Sequence, residues 1–482
     1  MSDQQNKLRR VLGFWPAYGA AVGLVVSGTA MVSVGNVAGI SGKAAFITAL
    51  IALIPMMAAA FAYGELSAMI PGGGMVSDYT MPALGRFWAI FAILSGYIML
   101  IAADGGTQQV VAGLSIERLT GIPQYIGSTV LLLTVLVINL IGVNLYGRTE
   151  AVLTVSLMLV FLLVGLFGLA GVGEAYGVAE PVADQSIMPD KTVALFSGVG
   201  VAIWWFIGFE FACPLAEENV KPHRNIPYAL IIGLLTIYAV DVIFVWAAST
   251  YTPAEVLSSS SIPHVDAAQH MLGDAGFLVM TIITIVAAFT TANAEMAALP
   301  RMLYGMARER LAPQFFGRIH PRTRTPWNGI FFTAVLMAAT LVYITAKGAN
   351  IDVILSLILT AVVTWMISYA IAMVDVLVLR KKYPDYPRLW KAPLAPITMP
   401  LGLAGVAFAI WTIISYVMPA VIFMIGMAVV TVLWLKKQKL PVFGTIPIEK
   451  LAQEIRDRSE SEPEWDGAIG KWLENRPAWD NA

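Results

Sequence analysis

Long apolar stretches separated by short polar turns fill nearly all of the chain up to residue 436. Crossing about 30 Å of hydrocarbon takes roughly 20 apolar residues in a helix. Twelve stretches meet that length, at 12–36, 44–70, 86–116, 124–145, 150–173, 192–216, 226–251, 275–306, 328–346, 351–380, 396–417 and 418–436. They are numbered as spans 1 to 12. The last two are divided only near Pro419. From residue 437 the chain becomes polar and charged, with Trp465, Trp472 and Trp479 spaced along it. This segment predicts a tail, either lying on the membrane surface or serving a regulatory or partner-binding role.

The distribution of Lys and Arg tests the count, because short basic loops stay on the cytoplasmic side. With the N-terminal "KLRR" inside, the outer loops carry only Lys43, Arg118, Lys191 and Lys347 of the 30 basic residues. A miscount of one span in the middle would spoil that alternation. The expectation is an all-α, multi-pass protein of the cell membrane with both end segments cytoplasmic. Composition agrees: 58% hydrophobic and 13% charged residues, with a mean hydropathy of +0.74, exclude a set of soluble domains in a 482-residue chain. A net charge of −1 adds little, since the sidedness of the charge carries the information. The single Cys213 has no intrachain disulfide partner, and all four histidines fall in predicted loops. The first stretch begins like a signal peptide but is too long and lacks a clear cleavage site, so it stays as span 1.

Two spans are interrupted at their centres by small, flexible residues: span 1, "YGAAVGLVVSGTAMVSVG", and span 6, "FSGVGVAIWWFIGFEFACP". Glycine lowers the cost of opening a helix, and opened backbone survives in a membrane only beside protein or a polar cavity. Each cluster by itself also fits close helix packing. Their corresponding positions, five spans apart, are the pattern of a transporter built from inverted repeats.

Four stretches then resemble the amino acid–polyamine–organocation superfamily, and the chain is similar to its amino acid permeases. They are "VSGT" (Val26 to Thr29), "AYGELSAMIPGGGMVSDY", "FIGFE" with the following "AEENVKPHRNIP", and "PRMLYGMARERLAPQFFGRIHPRTRTP". The resemblance implies the leucine-transporter fold, with repeats at 12–173 (spans 1–5) and 192–380 (spans 6–10), spans 11 and 12 at 396–436, an N-terminal segment at 1–11 and a tail at 437–482. It also implies a substrate site. Backbone N–H groups of Ser27, Gly28 and Thr29 would hold a carboxylate at a half-helix N-terminus, where unpaired donors and the positive dipole end meet. Carbonyls of Leu24, Trp204 and Ile207 would hold the amine. Val26 stands where the family usually has glycine.

Acids outnumber bases within the spans: Glu65, Asp104, Glu210, Asp241, Glu295 and Asp375 lie in or near the ends of apolar runs, while Lys and Arg keep to the ends. An ionised carboxylate at the membrane centre costs roughly 2.5–3.5 kcal/mol, so a central acid without a basic partner should be protonated, hydrated or facing a cation. In some proton-coupled relatives the glutamate matching Glu210 is assigned to coupling. Here it is either that or a neutral prop bonded to freed carbonyls. Other relatives use a lysine in span 5, which "SLMLVFLLVGLFG" lacks. Sodium is the alternative ion, through Ser27 and Thr29 or Thr290 and Thr291. Asp104 would meet a second positive group on the substrate or bond nearby donors. Trp204, Trp205 and Trp365 could wall the site or simply pack.

The sequence therefore points to a secondary active transporter of amino acids or related amines, working by alternating access as a proton-coupled symporter or an exchanger. The alternatives are a polyamine or cationic amine importer and a sodium-coupled amino acid symporter. No catalytic residues, cofactor, metal set or nucleic-acid partner is expected.

Overall fold

The structure is a computed structural model describing residues 9–142, 148–183, 186–189, 191–308, 310–323 and 325–474. The first eight residues of the 1–11 segment and the last eight of the 437–482 segment, Trp479 among them, lie outside the described residues. Among the described residues, eleven helical stretches are long and apolar enough to cross a membrane. The first of them, Gly28–Met69, joins the second half of span 1 to all of span 2 through a tight turn at Gly42 (φ 57°). Separating them recovers twelve spans.

Span 1 comprises Phe14–Gly23 and Gly28–Ser41, with Leu24 to Ser27 non-helical between them. Span 6 runs over Val193–Glu217 and opens at Ile207 and Gly208. Both breaks fall where the glycine clusters predict. They also touch: a Cβ added at Gly208 (φ 108°) would sit 2.8 Å from Leu24 Cδ2, so glycine is required for its backbone angle and for the close approach. Spans 1, 2, 6 and 7 pack on one another, as do spans 3, 4, 8 and 9, with span 5 against spans 1, 7 and 8 and span 10 against spans 2, 3 and 11. Outward-facing side chains of spans 4, 11 and 12, such as Val130, Leu401 and Ile422, are exposed. These are the lipid-facing surfaces of a bundle whose interior polar groups must find partners within the protein.

Three local features depart from simple helices. The second half of span 6, Phe209–Glu217, is a 3₁₀ helix rather than an α-helix. Pro214 lies inside it and lacks the N–H needed to continue an α ladder. Span 3, Arg86–Thr120, widens into π turns at Ile93–Tyr97 and Ile101–Gly105. Such turns free carbonyls. Ser368 Oγ donates to Ala92 O at 3.0 Å, and Thr340 Oγ1 donates to Ala102 O. Before span 8, a helical segment beginning at Pro263 precedes a non-helical Gly273 (φ 62°). His264 and His270 therefore lie on a helix and not in a loop. His264 is buried, with Nε2 2.9 Å from Thr284 Oγ1.

Candidate functional site

The break in span 1 presents its N–H groups toward span 3. Ser27 caps the new helix, its Oγ accepting from Ala30 N at 3.0 Å. The Thr29 hydroxyl then gathers the neighbours: it donates to Asp104 Oδ1 at 2.7 Å and accepts from Gln108 Nε2 at 2.8 Å and from Trp204 Nε1 at 3.2 Å. It also lies 3.2 Å from Ser27 Oγ. Gln108, one turn after Asp104, donates to Asp104 Oδ2 at 3.0 Å and accepts from Thr29 N at 3.4 Å. Asp104 itself sits in the second π turn of span 3. Ser27, Gly28, Thr29, Asp104 and Trp204 are thus brought together. Glu295 of span 8 joins them, its carboxyl close enough to Asp104 to interact. A Cβ on Gly105 would come 2.7 Å from Met337 and 3.0 Å from Glu295 Oε2, so the small residue makes room for both.

The break in span 6 organises a second group. Glu210 is fully buried, two residues beyond Gly208. Tyr369 of span 10 donates to Glu210 Oε2 at 2.5 Å, and Tyr97 of span 3 donates to Oε1 at 3.4 Å. The same Tyr369 hydroxyl accepts from Gly208 N at 3.3 Å. Trp365 packs on Tyr97, with ring centroids 4.5 Å apart, and edge-on to Tyr369. Leu24 and Ile207 lie in the breaks and are nearly buried, at 8% and 5% exposure. Trp205 is fully buried and belongs to the core.

On the other side of the first break, a cavity of about 20 Å³ lies among Val25, Ser27, Met158, Phe161 and Asp241, with room for about one water. Asp375 accepts from Thr80 Oγ1 at 2.6 Å. Glu65 corrects the expectation that the acids in the spans lack basic partners. Arg380 at the end of span 10 holds both its oxygens, at 2.8 and 2.5 Å, Arg388 Nε lies 3.3 Å away, and Ala392 N donates to it at 2.8 Å. The chain brings those arginines back over span 2 only after folding, which no local stretch of sequence reveals.

Sequence reasoning gave no role to Gln108, Glu295, Tyr97 or Tyr369. Gln108 carried a signal, four residues after Asp104 and so on the same helix face. Glu295 stood out as an acid in an apolar run. The two tyrosines carried none, since aromatic residues are common in membrane spans.

With this geometry in view, comparison with known proteins is direct. The sequence model of the family described as "Amino acid permease" matches residues 12–437. The chain belongs to that family. This permease is 25% identical to the branched-chain amino acid permease of Bacillus subtilis (strain 168), over 84% of this chain and 88% of that protein. It is 24% identical to the methylthioribose transporter of the same organism, over 90% of this chain and 94% of that protein. Its fold resembles the crystal structure of the Eremococcus coleocola manganese transporter with a TM-score of 0.58, 14% identity, and coverage of 91% of this chain and 99% of that one. The permease is accordingly a multi-pass membrane protein with the leucine-transporter-like fold.

Proposed function

We propose that this permease is a secondary active transporter of amino acids or related amines in the cell membrane, with both end segments cytoplasmic. It alternates its access around the paired breaks and couples transport to protons through Glu210. The moving units are the repeats at 12–173 and 192–380. The observation that carries the reading is the chain of contacts from Glu210 through the Tyr369 hydroxyl to the Gly208 N–H. An ionised Glu210 holds Tyr369 as a donor. Once protonated, its own O–H competes for acceptors, and the hydroxyl that pins the span 6 break is released to turn. A proton on one carboxyl is thereby read by the backbone that forms the substrate site.

In reconstituted vesicles, Glu210→Gln should keep counterflow of bound substrate and lose accumulation driven by a pH gradient. A wild-type pH dependence in that variant would overturn the coupling role.

A second reading concerns the substrate's charge. Of the half-helix donors expected to take a carboxylate, Thr29 N already donates to Gln108 Oε1 at 3.4 Å and Ser27 N to Val25 O at 2.9 Å, and Asp104 stands beside them. An acid at that position repels a carboxylate and attracts an ammonium. This favours an amine without a carboxylate over an amino acid. Putrescine should then outcompete lysine for uptake; the reverse order restores the amino acid reading.

A further inference from the structure

The segment after span 12 is packed across the face of the bundle that carries Arg10 and the end of span 6. Its entry pairs with the start of span 3: Arg86 N donates to Gly444 O at 3.1 Å and Phe87 N to Val442 O at 3.0 Å. A first tail helix, Ile448–Arg458, buries Ile448, Leu451, Ala452 and Ile455. A second, Pro463–Glu474, buries Trp465, whose Nε1 donates to Met69 O at 3.1 Å, and sets Trp472 on Tyr386 at 4.7 Å. Between the first tail helix and the bundle lies a cleft of about 310 Å³.

The charged side chains lining that cleft are Arg86, Arg308, Lys450, Arg458 and Glu454. Glu454 lies 3.4 Å from Arg458, which leaves Arg86, Arg308 and Lys450 as surplus positive charge among the described residues that line the cleft. Arg308 rests over the Tyr304 ring, 5.8 Å from its centroid. These three cations come from the start of span 3, the end of span 8 and the tail. Folding has placed like charges from separate elements around one space, which costs Coulomb energy unless an anion sits among them.

We propose that this cleft is a binding site for a phosphate-bearing anion, whose occupancy fastens the tail to spans 3 and 8. A phosphoryl group offers three strong acceptor oxygens, which suit two guanidinium forks and an ammonium. The same chemistry comes from a free phosphorylated solute or from a lipid headgroup, and the cleft stands on the side that the basic residues assign to the cytoplasm, where anionic headgroups attract such clusters. The tail also grips the other half of the bundle, through Met69 and through Arg10, which donates to Glu460 O, Ala216 O and Asn219 O. An anion in the cleft therefore joins the two packing groups and holds this face closed.

The test uses the full chain and follows deuterium exchange over residues 448–458. Pyrophosphate is added in detergent against sodium chloride of equal ionic strength. In parallel, the protein is placed in vesicles of phosphatidylcholine alone or with equimolar phosphatidylglycerol. Each cation near such an anion is worth roughly fivefold in affinity. The double variant R86Q/K450Q should bind pyrophosphate about 25-fold more weakly, and the single variant R308Q, altered at an exposed position, about fivefold more weakly. Exchange slowed by pyrophosphate identifies a free anion as ligand; exchange slowed only in phosphatidylglycerol vesicles identifies the headgroup. Exchange unchanged by both, or slowed equally in R86Q/K450Q, overturns the proposal.

Discussion

Buried acids do different work in this molecule depending on what surrounds them. Glu65, 1% exposed, has two guanidinium groups and a backbone donor and so stays a structural ion pair. Glu210 is met by the hydroxyls of Tyr369 and Tyr97 and forms no ion pair among the described residues. Asp104 is held by Thr29 and Gln108, and Glu295 lies beside it as a second acid. Removing one member of a buried ion pair strands the other at a cost of several kcal/mol. Arg380 keeps 28% of its side chain exposed and can recover some solvation, so Glu65→Ala should lower apparent stability by about 3 kcal/mol, near the low end of that range. Denaturant unfolding in detergent measures it, and Asp375→Asn, which leaves no charge stranded, is the control.

Among the elements, the breaks in spans 1 and 6 were the most legible. Each is announced by glycines within an apolar run, and each appears at the place they mark. What the run of residues did not announce was the form of the halves. The exit of span 6 is 3₁₀, with Pro214 inside it. The π turns of span 3 depend on Ser368 and Thr340, donors from spans 10 and 9 that take the carbonyls so freed. Asp104 reaches Thr29 from within one of those turns. A plain α-helix through the same residues would rotate its face. Gly208 illustrates how both levels act on one residue: its positive φ is local chemistry, while its contact with Leu24 exists only once the two breaks meet.

At the scale of the whole molecule, the tail and Arg10 bridge the face near the end of span 6, and the alternating access proposed above requires these contacts to break for opening toward that side. Arg10 donates to Ala216 O at 2.8 Å, Asn219 O at 3.0 Å and Glu460 O at 2.8 Å. Hydrogen bonds from a charged group contribute roughly 1.5–3 kcal/mol. Arg10→Ala should therefore favour opening on this face by about tenfold. The lone Cys213, fully buried in the exit of span 6, is a native reporter, and a membrane-impermeant thiol reagent applied from that side should label the variant about tenfold faster. Equal labelling would mean that Arg10 does not hold the closed state. The sequence by itself determined the membrane class, the twelve spans and the two broken helices. These follow from apolar length and from glycine, which act over neighbouring residues. The tertiary structure alone decided which acids are neutralised, which tyrosines meet Glu210 and where the tail lies. Those outcomes depend on groups far apart in the chain, such as Glu65 with Arg380 and Glu210 with Tyr369, meeting where water is excluded and every polar atom must find its partner within the protein.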